Sequence, residues 1–390
     1  MNNRQRIKTA LDHKSTDRVP VDFGGSPVTG IHVLAIEGLR DYFGLEKKPL
    51  KVIEPYQMLG EIDDELKDIL GVDTIGISPK NDMFGIPLEN WKEYRVPWGQ
   101  VVLVPGEFNT TKDEDGSLLI YPEGDLEVPA SAKMPVTGYF FDAIIRQEPI
   151  DENALRVEDN LEEFKPVSEE DLIYWKNQVE KNAGSDRALI ANFGGTAFGD
   201  IALVPAVQLK NPKGIRDISE WYMSTMTRQD YIHAIFNKQS ELAIENLGKF
   251  FEVVGNKIDI IFVCGTDFGT QTSQFCSVET FNYLYAPYYK RINNWVHKNT
   301  EWKTMKHSCG AGEPLMNSFI DSGFDIINPV QVSATGMDAM HLKKEYGQHI
   351  VFWGGGVDTQ KTLPFGTPEE VYSEVRERID IFAQDGGFVF

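Results

Sequence analysis

The chain has 390 residues, 41% hydrophobic and 25% charged, with a net charge of −21. That is enough apolar material for a buried core, and the acidic excess excludes DNA and RNA as partners, because phosphate binding needs a basic face. No stretch approaches the ~18 uninterrupted apolar residues of a membrane span, and the three cysteines, Cys264, Cys276 and Cys309, are too few for a disulfide framework. With no apolar centre of a signal peptide in "MNNRQRIKTALDHKSTDRVPV", the cytoplasm is the expected compartment.

Residues 2–12 read as a short amphipathic helix, with Ile7, Ala10 and Leu11 on one side. "RVPVDFGG" (18–25) is an apolar run closed by two glycines and reads as a buried strand. Residues 33–43 and 57–70 read as helices, and 72–78 as a strand. Between about 80 and 145 the pattern changes to alternation broken at Pro, Gly, Asp and Asn, which predicts antiparallel hairpins.

From 160 onward the rhythm is regular. Helices are predicted at about 161–182, 228–254, 278–298, 313–322, 337–346 and 368–384. Between and after them lie strands at 187–195, 257–264, 302–308, 324–330, 349–354 and 387–390. Strands alternating with helices of this length indicate parallel β-α units, and their continuous apolar character suits a sheet buried on both faces. With 18–25 and 72–78 the strands number eight. The expected architecture is therefore an α/β fold, a single (β/α)8 TIM barrel over 1–390, with a β-hairpin insertion in its first half. An open doubly wound sheet is the alternative, but no glycine-rich phosphate-binding motif follows an early strand.

In a barrel the residues just past the strand ends line one mouth. Here those positions carry Asp22, Asn192, Asp267 with Gln271, His307 with Cys309, Asn328 with Gln331, and Asp358 with Gln360. Each alone is also an ordinary turn or cap residue; together they mark one polar mouth. In "KTMKHSCGAG" (303–312), His307 and Cys309 stand two apart along a strand and so face the same way. A thiolate and a neutral imidazole on one face suit zinc. The same pair also reads as buried bystanders of a strand, or as a nucleophile with its base.

The blocks "RQRIKTALDHKSTDRVPVDFGG", "CGTDFGTQTSQFCSVETFNYLYAPYYKRI", "HSCGAGEPLMNSFIDSGFDIINPVQVSATGMD" and "VFWGGGVDTQKTLPFGTPEEV" resemble the uroporphyrinogen decarboxylase superfamily. The resemblance is to its cobalamin-dependent methyltransferase branch, which contains the methylcobamide:coenzyme M enzymes and the methyltransferases of O-demethylases. It implies the (β/α)8 fold and an H-x-C pair on a late strand that holds zinc, matched here by His307 and Cys309. In the coenzyme M enzymes a third ligand is a cysteine after the last strand, whereas this chain has no cysteine after Cys309. Asp358, Asp267, a glutamate, Cys264 or a residue beyond 390 are the candidates for that place. A closed barrel ending at its last strand would leave one side uncovered, so the sequence reads as a barrel lacking its final helix. True decarboxylases carry an arginine-rich N-terminal segment that grips the tetrapyrrole carboxylates. This chain has no arginine between Arg18 and Arg40, which weighs against that activity.

The function implied is zinc-dependent transfer of a methyl group between a small methylated substrate and the cobalamin of a separate corrinoid protein. The substrate is a methyl ether such as a methoxylated aromatic, or a thiol acceptor. Asp267 and Asp358 are the expected acid or base residues. Asn192, Gln271, Asn328 and Gln331 are expected to fix polar groups of the substrate, and Phe193, Phe268 and Trp353 either to wall it or to belong to the barrel core. Tetrapyrrole decarboxylation and an inactive barrel that only binds a ligand or the corrinoid protein are the alternatives. A homo-oligomer is compatible with the sequence.

Overall fold

The computed structural model describes residues 1–390. Its centre is a seven-stranded, all-parallel sheet in strict chain order: Thr74–Ile77, Ala188–Ala191, Ile260–Cys264, Lys303–His307, Ile326–Asn328, Val351–Trp353 and Phe388–Val389. Nearly every residue of the last six strands is buried, as a sheet covered on both faces demands. Successive residues separate cleanly to the two faces. Ala188, Ile190, Ile260, Phe262, Met305, Ile326, Val351, Trp353 and Val389 form one cluster on the concave face. Leu189, Ala191, Ile261, Val263, Ile327, Phe352 and Phe388 join the larger core under helices such as Glu169–Asn182, Gln229–Val254 and Ala286–Asn299.

The expected strand over 18–25 is not a regular strand. Pro20 has no N–H for a ladder, and Gly24 turns the chain at φ 76°. Residues 20–22 nonetheless join the two edges of the sheet. Phe390 N donates to Pro20 O at 2.9 Å, Asp22 N to Phe390 O at 2.8 Å, and Asp73 N to Val21 O at 2.8 Å. The helix expected over 57–70 begins only at Asp64, where Asp63 caps it through the Leu66 amide; residues Leu59–Gly60 are a strand.

The excursion from the sheet is larger than the predicted 80–145 hairpins. The Leu50–Glu54 strand pairs antiparallel with Leu59–Gly60 and parallel with Val101–Val104, which in turn pairs antiparallel with Lys92–Arg95. A second four-stranded sheet, Thr110–Lys112 to Asp142–Ala143, is an antiparallel meander. Together they enclose a core of 19 buried residues, from Val33 to Phe141 with Val207, separate from the cores of the parallel sheet. This segment is a second packed body, which the expectation of one barrel with a hairpin insertion did not include.

The Asn3–Leu11 helix sits at the N-terminal ends of the parallel strands. It opens with a capping box between Asn2 and Gln5 and inserts Ile7, Ala10 and Leu11 into the concave cluster. Arg4 pairs with Asp259 and Arg6 with Asp73, the residues immediately before two strands. Asp73 is fully buried; it also accepts both Nη atoms of Arg18, at 2.8 and 2.9 Å, and the Val21 amide at 2.8 Å. With that end closed, the C-terminal ends of the strands form the open mouth. No helix is long and apolar enough to cross a membrane.

Removing Asp73 takes a buried acceptor from Arg18 and from one Nη of Arg6, which keeps its pair with Asp17. Asp73→Ala should lower the unfolding free energy by about 1–3 kcal/mol, read as a fall in the urea midpoint at unchanged slope. Metal content at the opposite end should not change.

Candidate metal centre

The Lys303–His307 strand delivers His307 to the mouth, and Cys309 follows on the same side. Ser308 between them is turned inward: its N–H donates to Asn328 O at 2.7 Å and its hydroxyl accepts the Phe268 amide at 2.9 Å. The loop after the neighbouring Ile260–Cys264 strand supplies Asp267, whose Oδ1 accepts the Cys309 N–H at 2.6 Å. At Gly310, φ is 87° and a Cβ would overlap the Gly269 backbone, so glycine is what lets these two loops cross.

Cys309 Sγ lies 3.3 Å from His307 Nε2, and His307 Nε2 lies 3.6 Å from Asp267 Oδ1. The three ligating atoms are all within 4.8 Å of one another. Zinc bonds of about 2.0–2.3 Å at the tetrahedral angle hold neighbouring donors roughly 3.4–3.6 Å apart. A thiol, an imidazole nitrogen and a carboxylate at these separations therefore fit zinc in kind and in spacing.

The tautomer of His307 follows from its neighbours. Asn328 Nδ2 donates to Trp353 O at 3.1 Å, which turns Asn328 Oδ1 toward His307 Nδ1 at 2.7 Å. An amide oxygen only accepts, so Nδ1 carries the proton and Nε2 presents its lone pair to Cys309 and Asp267. Burial holds the His307 pKa below its ordinary value, against the opposing pull of Asp267. Burial, reinforced by the Asp267 charge, pushes the Cys309 thiol up to about 12. Left to itself the pair is a neutral imidazole and a neutral thiol; a bound cation reverses the preference of the thiol.

Of the other expected site residues, Gln331 and Gln271 brace this loop. Gln331 Oε1 accepts the Gly310 N–H at 2.7 Å, Gln331 Nε2 donates to Gln271 Oε1 at 2.8 Å, and Gln271 Nε2 donates to Ser333 O at 2.7 Å. Asn328 positions His307. Asn192 lies at a different cavity, between the strand ends and the second body. The three aromatics are core residues. Phe193 stacks on Phe250 at 4.3 Å beside Trp175; Phe268 packs edge-on to Phe281 and Tyr285 at 4.9 Å; Trp353 is 1% exposed in the concave cluster. Asp358 accepts the Gln360 and Lys361 amides beside Glu374 and stands outside the His307 cluster.

Two neighbours of the site had no sequence signal. Asp200 is 7% exposed and raised to about 6 by burial, with the Asp267 charge acting in the same direction. In "FGDIALVP" it looks like any turn residue. Lys306 is fully buried on the outer face of the sheet, where its Nζ donates to Thr266 O at 3.1 Å, sits 3.4 Å from Cys264 Sγ and lies over the Phe268 ring at 4.6 Å. A register shift between Phe262 and Cys264 turns Cys264 to that outer layer, away from His307.

Residues 203–390 match the model of the uroporphyrinogen decarboxylase (URO-D) family. No protein with a curated description matches the sequence. Among solved structures the chain is similar to a methyltransferase from Methanosarcina mazei, at 14% identity and a TM-score of 0.50, over 100% of this chain and 92% of that one. At that identity the likeness is one of fold, an α/β architecture about a curled parallel sheet.

Asn328→Ala removes the acceptor that fixes His307 Nδ1–H. It should weaken zinc affinity about 10–100-fold, measured by competition with a chromophoric chelator, while the fold is retained.

Proposed function

We propose, for a chain whose residues 203–390 belong to the uroporphyrinogen decarboxylase family, a zinc-dependent methyl transfer. The transfer runs between a small methylated substrate and the cobalamin of a separate corrinoid protein. The observation that carries the reading is the convergence of Asp267, His307 and Cys309 at the mouth. A single (β/α)8 barrel, with residues 20–22 as the eighth stave closing the sheet, is the architecture this reading assumes. The cytoplasm is its expected compartment.

His307 Nε2, Cys309 Sγ and Asp267 are the three protein groups that would hold the ion. Zinc, when bound, supplies a Lewis acid able to lower the pKa of a substrate thiol or to polarise an ether oxygen. Asn328 keeps the imidazole in the ligating tautomer. Asp267 Oδ1 is engaged by the Cys309 amide, which leaves its second oxygen to exchange a proton with a substrate heteroatom. Gln331 holds the Gly310 loop, and with it the direction of Cys309. Phe193, Phe268 and Trp353, being core residues, give a methoxylated aromatic no wall, so the substrate is stated only as a small methyl ether or thiol. Asp358 is retained only as a residue of the far rim.

Tetrapyrrole decarboxylation, the other activity the family suggests, requires free cationic clamps. The early arginines are already committed: Arg4 to Asp259, Arg6 and Arg18 to Asp73, and Arg40 to Asp63 and Glu65. A catalytically inactive barrel would show neither zinc nor turnover.

The test is metal analysis with one substitution. The purified protein should hold one zinc per chain. Cys309→Ala should lose that zinc and abolish methyl transfer to a cobalamin acceptor, with a melting temperature within a few degrees of the parent, because a domain this large does not need zinc to fold. Full zinc occupancy in Cys309→Ala would refute the ligand assignment.

A further inference from the structure

Past the end of their ladder, the Ile260–Cys264 and Lys303–His307 strands remain stitched together by side chains. The register slips between Phe262 and Cys264, and Cys264 opposite Lys306 is the last pair. Beyond it, three consecutive residues of one segment meet three of the other. Thr266 O accepts from Lys306 Nζ at 3.1 Å, Asp267 Oδ1 accepts the Cys309 N–H at 2.6 Å, and the Phe268 N–H donates to Ser308 Oγ at 2.9 Å. Only the first stitch is made by a cation, on the outer face of the sheet.

Lys306 is fully buried, at a strand position where a sheet covered on both faces takes apolar residues. The rings of Phe268, Phe319, Tyr289 and Phe324 surround its ammonium at 4.6, 5.1, 5.3 and 5.7 Å, all within cation–π range. Its three N–H groups meet three acceptors: Thr266 O at 3.1 Å, His307 O at 3.3 Å and Cys264 Sγ at 3.4 Å. None of the three is a carboxylate. Taking an ammonium out of water without an ion pair is expensive, whereas a methionine or leucine would fill the same cage at no such cost. Packing alone therefore does not account for a lysine here; the two carbonyls do.

Those carbonyls belong to the residue before Asp267 and to His307 itself. Thr266 is held on its other side as well: its hydroxyl donates to Phe198 O at 3.1 Å and accepts from the Tyr289 hydroxyl at 3.1 Å. Its carbonyl is thus a fixed point from which Asp267 hangs. One ammonium joins the backbones of two ligands that come from different strands. The spacing of the three donors fits zinc only while those backbones keep their relative position. Charge acts the other way. A cation near the site repels a divalent ion, so a lysine that mattered by its field alone would weaken metal binding. The two effects have opposite signs, and the sign can be measured.

We propose, on the zinc reading above, that Lys306 is a positioning residue of the metal centre: its ammonium pins Thr266 O to His307 O and so sets Asp267 at ligating distance from His307 and Cys309. It touches neither the ion nor the substrate. It acts through the backbone of two ligands, before any ion arrives.

The test is the zinc affinity of Lys306→Met on the full chain, measured by competition with a chromophoric chelator and by the spectrum of the cobalt(II) form. Methionine keeps an unbranched apolar stem and removes the charge and the three N–H groups. Affinity for zinc should fall about 10–100-fold, as it does when other residues that orient metal ligands are lost, and the thiolate-to-cobalt charge-transfer band should weaken. The rise in melting temperature that zinc gives should shrink with it. A lysine that only supported the core would lower the melting temperature of the zinc-free and zinc-bound forms alike and leave the affinity of the folded chain as it was. If Lys306→Met does not fold, Lys306→Gln, whose uncharged N–H donor is one bond shorter, should show the same fall to a lesser degree. Unchanged or tighter zinc binding in the folded variant would overturn the proposal. A parent chain that binds neither zinc nor cobalt would overturn the zinc reading and this role together, which separates the two failures.

Discussion

The organisation of this molecule hangs on one buried carboxylate. A curled parallel sheet has two edges, each a row of unpaired N–H and C=O groups, and it holds its curvature only when something joins them. Here the joint is Asp22. Its backbone bridges toward Phe390, and its side chain takes the Thr74 hydroxyl at 2.5 Å, the Trp353 indole N–H at 2.8 Å and the Gly25 amide at 3.0 Å. Burial raises its pKa, and these three donors counter that tendency. Trp353 passes the constraint on: its carbonyl orients Asn328, and Asn328 orients His307. The seam of the sheet and the Nε2 lone pair of His307 are thus connected through three hydrogen bonds.

The two ends of the sheet treat charge differently. At the N-terminal end Asp73 and Asp259 are buried but answered by Arg4, Arg6, Lys8 and Arg18. At the mouth, Asp267 has no arginine or lysine in contact, only His307 at 3.6 Å. Buried acids with partners hold the fold together. Asp267, half-exposed and without such a partner, leaves negative charge uncompensated at the mouth. The division matches the general separation of stability and activity between the faces of barrels.

The later strands were legible because they are apolar on both faces and separated by long amphipathic helices. His307 and Cys309 were legible as partners because period two along a strand is unambiguous. The strand over 18–25 was misread because its apolar character belongs to a seam, where Pro20 forbids a ladder. For Phe193, Phe268 and Trp353 the sequence left pocket wall and barrel core open, because it cannot say which way an aromatic near a strand end turns; all three turn into the core. The second body was seen only in part: the parallel pairing of Leu50–Glu54 with Val101–Val104 spans about fifty residues and leaves no local signal.

The closing of the N-terminal end also sets an order of events. At nine residues the Asn3–Leu11 helix is too short to be stable alone. It packs on the Thr74–Ile77, Ala188–Ala191 and Phe388–Val389 strands, and the Asp22–Trp353 joint spans 331 residues. Ile7, Ala10 and Leu11 therefore find their full cover only when the last of these strands is in place. Contacts this distant in sequence are slow to form. The segment that seals the sheet is then the last to settle.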